Sequence, residues 1–325
     1  MTHCGDLRVL FRAAAGPRRG FGHLVRCRSL ARALGVRPLL ALRGGPRVIE
    51  TAVALGCDVV RGGATRVLSR LEPDVLIVDD PIAADARRWM RAARRVGSLV
   101  VSIHDLGLGC LDADLVIDGS ITKNARARNG LTLAGPEYAV LDPAVAAHTG
   151  GPRERDPYSV LVALGGGPRA ELANDIAEAI VEANPQARVR IAGGFAGIPR
   201  EEAARIAWIG PSRSLHSEMS RASVAVVGGG VSLYEACAHG VAAVGVPVVA
   251  AQRPTVSAFV KRGVARGVVR GRVTAESVAA ECAELLTDEV MRRHMARLGQ
   301  RLVDGRGAFR AAAAVSRLAR AGGQR

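Results

Sequence analysis

The sequence has few aromatic residues, only two lysines and no long apolar run. Phe, Trp and Tyr make up 3% of the 325 residues while 49% are hydrophobic, so its cores must be built from aliphatic side chains. No apolar run approaches the roughly 20 residues that span a bilayer, and residues 1–6 lack a secretory hydrophobic region. These absences predict a cytoplasmic protein without a transmembrane segment.

Cysteine pairs are also missing, because none of the six cysteines forms a Cys-x-x-Cys motif. Scattered cysteines of this kind predict reduced thiols, and they favour neither a zinc site nor a disulfide framework. We therefore expect no metal and no cofactor. The six are Cys4, Cys27, Cys57, Cys110, Cys237 and Cys282.

The net charge is +15, carried almost entirely by arginine, since Lys123 and Lys261 are the only lysines. The arginine bias accompanies abundant Ala and Gly and is typical of GC-rich coding. No basic segment carries the interleaved aromatics of a nucleic-acid-binding module. We expect an anionic small-molecule substrate and no nucleic acid, and we leave open a weak attraction to acidic lipid surfaces. The oligomeric state is left open.

Short aliphatic runs alternate with helical patterns in two successive sets. A chain of 325 residues suits two domains of about 150 residues each. The alternation predicts an α/β protein with two doubly wound, Rossmann-like parallel sheets and ligand sites at the carboxyl ends of the strands. The expected boundaries are residues 1–141, a linker over 142–157, a second domain over 158–305, and a final helical segment over 306–325 that packs across the domains.

A glycine-rich bend follows the first predicted strand and leads into a helix. Gly20 and Gly22 allow a sharp turn, and His23 falls in the first helical turn, where its imidazole can exchange protons near neutral pH. The alternative is that His23 only caps the helix. A Gly-x-Gly motif without further context favours this alternative, because it is weak evidence for a ligand site. Asp79 and Asp105 follow two buried strands and should lie at the same edge of the sheet.

The acidic residues at this edge have a second interpretation as helix caps. For Asp80 and Asp85 we favour it, because each lies just before or within the start of a predicted helix.

The second set of elements carries two glycine-rich turns between a strand and a helix. Gly165, Gly166 and Gly167 form the first, and their free backbone N–H groups are suited to bind an anion. The second is the run 228–230, which contains Gly228, Gly229 and Gly230 and is followed by Ser232 and Glu235.

Ser232 and Glu235 are three residues apart on one helix face. A carboxylate can accept hydrogen bonds from both hydroxyls of a ribose, and the helix N-terminus favours phosphate. The alternative is a capping box. The presence of two such turns favours nucleotide binding.

The segments 20–26, 133–141, 228–235 and 304–308 together resemble the nucleotide-sugar hydrolases of pseudaminic acid biosynthesis, the UDP-2,4-diacetamido-2,4,6-trideoxy-β-L-altropyranose hydrolase family. That family is related to the peptidoglycan N-acetylglucosaminyltransferase. The resemblance implies two Rossmann-like domains that face one another across a cleft, as in the glycosyltransferase B type, with the nucleotide in the C-terminal domain.

The resemblance also implies roles for individual residues. The turn at 228–230 and Ser232 would hold the pyrophosphate, Glu235 the ribose, and the backbone near Ile209 the uracil. Gln252 occupies the position of the family's glutamine, and it belongs to the sugar side of the site with Gly20, Gly22, Asp79 and Asp105. The family pattern differs at Pro81, Asp118 and Ala251. These three positions surround the sugar, so its identity is left open.

Three functions are consistent with these motifs. The first, which we predict, is hydrolysis of a UDP-activated amino or deoxy sugar, with His23 as the general base on water that attacks the anomeric carbon; the other two are alternatives. The second is a glycosyltransferase, in which His23 deprotonates an acceptor hydroxyl instead. The third is a nucleotide-sugar-binding protein without activity.

Overall fold

The computed structural model describes residues 7–16, 20–104, 110–122, 126–147, 155–165, 169–193, 205–210, 215–268 and 272–322. The chain divides into two compact units. The first comprises Met1–Pro143 and Arg306–Arg325, and the second comprises Ala144–Gly305.

The first unit is built on a parallel sheet. Its strands are β1 (Val9–Ala14), β2 (Leu39–Arg43), β3 (Asp58–Val60), β4 (Val75–Asp79), β5 (Leu99–His104), β6 (Cys110–Leu111), β7 (Leu115–Asp118), β8 (Arg126–Ala127) and β9 (Leu131–Ala134). Seven of them form one sheet in the order β3-β2-β1-β4-β5-β7-β9, and β6 pairs separately with β8. All these pairings are parallel.

Helices flank this sheet. They are α1 (Gly22–Leu34), α2 (Pro46–Ala54), α3 (Ala64–Leu71), α4 (Ala83–Arg95) and α12 (Gly307–Gly322). The short helix α5 (Pro143–Ala146) lies at the boundary with the second unit. Every residue of β1 and of β4 is buried, as expected of central strands covered on both faces.

The strand order reverses between β1 and β4, which are direct neighbours in the sheet. Val9 pairs with Val75 and Ala13 with Asp79, so the two strands end at the same level. Residues that follow β1 therefore meet the end of β4 at the switch point of the sheet, where doubly wound folds bind their ligands.

The first unit also includes the end of the chain. Helix α12 packs against α1 and against the 3₁₀ turn Pro136–Tyr138. A Cβ on Gly307 would overlap the backbone of Ala139, so the start of α12 lies directly on this segment. Asp142 is buried and accepts hydrogen bonds from Arg28 and Arg32 of α1. These contacts tie α1 to the segment that leaves the unit.

The second unit repeats the design. Its strands are β10 (Ser159–Ala163), β11 (Arg188–Ala192), β12 (Ile206–Ile209), β13 (Val224–Gly228), β14 (Ala242–Val246) and β15 (Arg266–Gly267). They form a parallel sheet in the order β12-β11-β10-β13-β14-β15. Its helices are α6 (Ala170–Ala183), α7 (His216–Arg221), α8 (Val231–Ala238), α9 (Arg253–Lys261), α10 (Ala275–Thr287) and α11 (Glu289–Leu302).

In this sheet the order reverses between β10 and β13. The turns that follow these two strands contain Gly165 and the run 228–230. The core on one face is aliphatic, with Ile176 and Ile180 of α6 and Val278 of α10 packed over the central strands. A capping box between Thr274 and Ser277 begins α10.

The predicted fold class, two α/β domains with parallel sheets, is confirmed. Among the described helices, none has both the length and the apolar character that a membrane span requires.

Candidate active and nucleotide-binding sites

The side chain of His23 is fixed at the switch point of the first sheet by an acidic residue of β4. His23 is the second residue of α1, and its Nδ1 lies 2.7 Å from Oδ1 of Asp79, the last residue of β4. The His23 side chain is 13% exposed and the Asp79 carboxylate 2% exposed. The helix-capping alternative is not observed, because residue 21 is the N-cap of α1 and no side chain caps it.

Asp79 is also held by Arg26, one helical turn after His23. Arg26 donates from Nε to Oδ2 at 2.8 Å and from Nη2 to Oδ1 at 2.7 Å, a bidentate ion pair between two buried side chains. Burial alone would raise the pKa of Asp79, but the charges of Arg26 and His23 and their hydrogen bonds hold it well below its usual range. The carboxylate is therefore ionised and can only accept.

This ionisation determines which nitrogen of His23 carries the proton. A carboxylate acceptor at 2.7 Å requires a donor, so Nδ1 bears the hydrogen. Nη2 of Arg26 lies 2.8 Å from Nδ1, and both groups donate to the same Oδ1. In the neutral imidazole Nε2 then carries the free lone pair, and it can take a proton from a hydroxyl or from water.

Sequence reasoning assigned no role to Arg26, although the residue was part of the motif. The spacing of Arg26 from His23 could have indicated a role, since residues three apart on a helix share a face. A buried carboxylate at the end of a neighbouring strand needs a cation of this kind.

The cap interpretation of Asp80 and Asp85 is corrected by the structure. The N-cap of α4 is Ile82, without a side-chain hydrogen bond. Asp80 and Asp85 instead accept hydrogen bonds from Arg12 of β1, at 3.1 Å and 2.9 Å, and Asp80 also accepts from the backbone N–H of Ile82. Because Arg12 is buried, these carboxylates serve mainly as its counter-ions.

Other residues assigned to the sugar side can be placed only in part. Gly20 has φ +75, a conformation that L side chains rarely adopt, and Gly22 begins α1. Asp105 lies outside the described residues.

In the second unit, the glycine turn after β13 leads directly into α8. A Cβ on Gly228 would lie 3.1 Å from the carbonyl oxygen of Leu164, so the turns after β10 and β13 approach closely. A Cβ on Gly229 would lie 2.7 Å from Cγ2 of Val256. Packing therefore favours glycine at both positions, and their presence alone does not indicate a ligand.

The companion turn after β10 is described only at its first glycine. Gly165 has φ +97 and open space around its Cβ position. Gly166 and Gly167 lie outside the described residues.

Ser232 and Glu235 do not form a capping box. Helix α8 begins at Val231, and its N-cap is Gly230, which has no side chain to accept a hydrogen bond. Both Ser232 and Glu235 are partly exposed, on the first turns of a helix whose N-terminus lies at the switch point of the second sheet. Backbone N–H groups and a hydroxyl at this position are suited to bind a phosphate.

Gln252 and Ile209 have backbone partners that bear on their predicted roles. Oε1 of Gln252 accepts from the N–H of Val248, and its Nε2 would lie 3.6 Å from a Cβ on Gly230. Gln252 therefore lies beside the start of α8. The carbonyl of Ile209 accepts from the N–H of Gly193 at 3.3 Å, which uses one of the two lone pairs of this oxygen.

In the described ranges, no three His, Cys, Asp or Glu side chains come together as a metal site would require. Four cysteines, namely Cys27, Cys57, Cys237 and Cys282, are free and buried.

Comparison with known proteins gives one family match and several relatives with the same fold. Residues 168–304 match the family described as UDP-glucoronosyl and UDP-glucosyl transferase. The chain is 25% identical to the spore coat polysaccharide biosynthesis protein SpsG of Bacillus subtilis (strain 168), over 94% of this chain and 97% of that protein.

Solved structures share the fold at lower identity. The spinosyn forosaminyltransferase SpnP aligns with a TM-score of 0.65 and 15% identity, over 96% of this chain and 99% of its own. MurG of Acinetobacter baumannii aligns with a TM-score of 0.63 and 14% identity, over 95% and 99%. These findings support the transferase alternative better than hydrolysis. The solved structures show that the chain has the glycosyltransferase B fold. The family match shows that residues 168–304 are similar to the UDP-sugar transferases.

Proposed function

We propose that the protein transfers a sugar from a UDP donor to an acceptor hydroxyl, with His23 as the general base. The observation that carries the proposal is the hydrogen bond between Nδ1 of His23 and the ionised Asp79. It leaves Nε2 as the proton acceptor. A hydroxyl that attacks the anomeric carbon must lose its proton, and Nε2 can accept it. A single displacement of this kind inverts the anomeric configuration.

Asp79 and Arg26 have separate roles in this proposal. Asp79 holds the imidazole in one tautomer and stabilises the imidazolium that forms when Nε2 takes the proton. Arg26 occupies both oxygens of Asp79, which fixes the carboxylate in the orientation that meets Nδ1. The first unit therefore contains a base that is oriented before any substrate binds.

Nucleotide binding is assigned to the second unit. The first turn of α8 and the hydroxyl of Ser232 would bind the diphosphate, and Glu235 would accept hydrogen bonds from the ribose hydroxyls. The family match supports this assignment, because residues 168–304 contain the whole of α8 and both flanking strands, β13 and β14. The departing UDP would be stabilised by helix N–H groups without a metal ion.

Hydrolysis of the same donor is the alternative, because water at Nε2 would lose its proton in the same way. The resemblance to the pseudaminic acid hydrolases favours it, and amino or deoxy sugars would then be the substrates. The name of the Bacillus relative points to polysaccharide biosynthesis as the process in which either reaction would serve. Both would take place in the cytoplasm, where UDP-sugars are made.

The two reactions differ in their need for an acceptor. The purified protein would be incubated with a panel of UDP-sugars, first alone and then with a panel of saccharide and lipid-linked acceptors, while UDP release is measured. Release that requires an acceptor supports transfer. Equal release without an acceptor supports hydrolysis, and no release with any donor and acceptor would leave only the binding protein.

Glu235 tests the nucleotide half separately. Glu235→Ala should weaken UDP binding by about 1–3 kcal/mol through lost charged hydrogen bonds, as measured by calorimetry. Glu276→Ala is the matched control, since Glu276 lies in the first turn of another helix of the same unit, α10. Equal UDP affinity of the Glu235 variant and wild type would remove Glu235 from the site.

A further inference from the structure

The positive charge of the protein is concentrated in one of its two units. The first unit contains 26 Lys and Arg residues against 14 Asp and Glu, a net charge of +12. The second contains 19 against 16, a net charge of +3. The acidic residues are nearly equal in number, so the difference arises mainly from the larger number of basic residues in the first unit. Biased codon usage would enrich arginine in both units and does not explain this difference.

Most acidic residues of the first unit already have arginine partners. Asp74 pairs with Arg8, and Asp58 pairs with Arg37. The remaining acidic residues in ion pairs are Asp79, Asp80, Asp85, Asp112, Asp114 and Asp142. Few acids are therefore left to neutralise the arginines on the surface.

A regular row of exposed arginines, without recorded ion pairs among the described residues, lies on α4. Arg87, Arg91 and Arg95 are exposed and occur at i, i+4 and i+8, so they form one row about 12 Å long on the solvent side of the helix. Within the described part of the chain, the recorded ion pairs include none of the three. The neighbouring helix α3 adds Arg66 and Arg70, which are also exposed. We call these five residues the arginine face.

The side chains around the arginine face decide what kind of partner it suits. The large apolar residues of α4, Trp89 and Met90, are buried on the opposite side of the helix. The face therefore offers no exposed aromatic ring on which a nucleic-acid base could stack, and no apolar anchor for a protein interface core. What remains is a convex helix surface with repeated positive charge.

We propose that the arginine face binds the anionic surface of a lipid bilayer. Each arginine near such a surface contributes a similar electrostatic attraction, and the attraction falls off within the Debye length. Without an apolar anchor, binding is expected to be reversible and to weaken steeply with salt. The proposal is independent of the reaction that the enzyme performs.

The test is co-sedimentation of the intact protein with phosphatidylcholine vesicles, with and without about one third phosphatidylglycerol. Binding is expected only to the anionic vesicles and is expected to disappear at high salt. The variant Arg87→Gln/Arg91→Gln/Arg95→Gln should bind them roughly 100-fold more weakly, since three charges of this kind each contribute several-fold. These side chains are exposed, so the variant should fold, which circular dichroism would verify.

A matched control exists in the second unit. Arg293, Arg297 and Arg301 of α11 are also exposed at i, i+4 and i+8, and their replacement by Gln removes the same net charge. Equal loss of binding in the two triple variants would mean that net charge alone matters and would overturn the proposal. Equal binding to neutral and anionic vesicles would also overturn it. So would binding to single-stranded RNA that depends on α4 and is tighter than binding to the anionic vesicles.

Discussion

Arg26 is the residue whose removal tests the charge cluster of α1 and β4 most sharply. In Arg26→Met the carboxylate of Asp79, only 2% exposed, would lose both guanidinium hydrogen bonds and keep only that from His23. Removing one partner of a buried ion pair costs about 3–5 kcal/mol, because the other charge stays buried without compensation. We expect a loss of this size in the free energy of unfolding, measured by urea denaturation at pH 7.

A double variant distinguishes the ion pair from simple packing. Arg26→Met combined with Asp79→Asn removes the uncompensated charge, so it should recover most of the loss seen in the single variant. Arg8→Met is the control, because the Arg8–Asp74 pair is exposed and its loss should have a much smaller effect. A double variant no more stable than Arg26→Met would refute the argument, as would an Arg26→Met protein as stable as wild type.

The same cluster predicts a pH dependence with a definite sign. The pKa of Asp79 is lower in the folded protein than in the unfolded chain, where it is about 3.9. The folded state therefore binds fewer protons as the pH falls through this region, and the stabilisation, fully present above about pH 5, is progressively lost at lower pH. In Asp79→Asn the free energy of unfolding should depend less steeply on pH between about 5 and 3. An unchanged slope would contradict the lowered pKa.

Three further predictions concern stability and thiol chemistry. Ser29→Ala should raise the free energy of unfolding by about 1 kcal/mol, since its Oγ is buried without a hydrogen-bond partner among the described residues; a lower urea midpoint would contradict this. Arg155 donates to the carbonyls of Ser220, His239 and Gly240 at the ends of α7 and α8. Arg155→Gln should therefore lower the free energy of unfolding by about 1.5–3 kcal/mol, and an unchanged urea midpoint would contradict this. Burial raises the pKa of Cys237 and of Cys282 to about 12. Peptide mapping after iodoacetamide treatment at pH 8 should therefore find both thiols unmodified in the native protein and modified in urea. Modification of either thiol in the native protein would contradict their burial.

Features that depend on local pattern could be predicted from the sequence. The alternation of aliphatic runs and helical patterns predicted two parallel sheets with flanking helices, and both are observed. The meeting of His23 and Asp79 also follows from pattern, because β1 and β4 are neighbours at the switch point and their carboxyl ends coincide. Helix α3 was not predicted, since its eight residues are too few for a clear helical period.

Features that depend on partners distant in sequence could not be predicted. Asp80 and Asp85 match the local preference for helix caps, but the buried Arg12 lies 68 and 73 residues away and draws both carboxylates. The packing of Val256 beside Gly229 likewise could not be read from the sequence, and the predicted role of this turn in pyrophosphate binding stays a prediction. For Asp80 and Asp85 a tertiary contact therefore overrides the local signal.

The roles of His23 and Asp79 can be tested most directly by the rate of UDP release at saturating UDP-sugar, measured together with UDP affinity. His23→Asn should lower the rate by about 10²–10⁴-fold and leave UDP affinity unchanged, and Asp79→Asn should lower the rate in the same direction. His294→Asn, at an exposed histidine of α11, should retain the wild-type rate. A His23→Asn enzyme with the wild-type rate would contradict the account, and so would one whose loss arises entirely from weaker UDP binding.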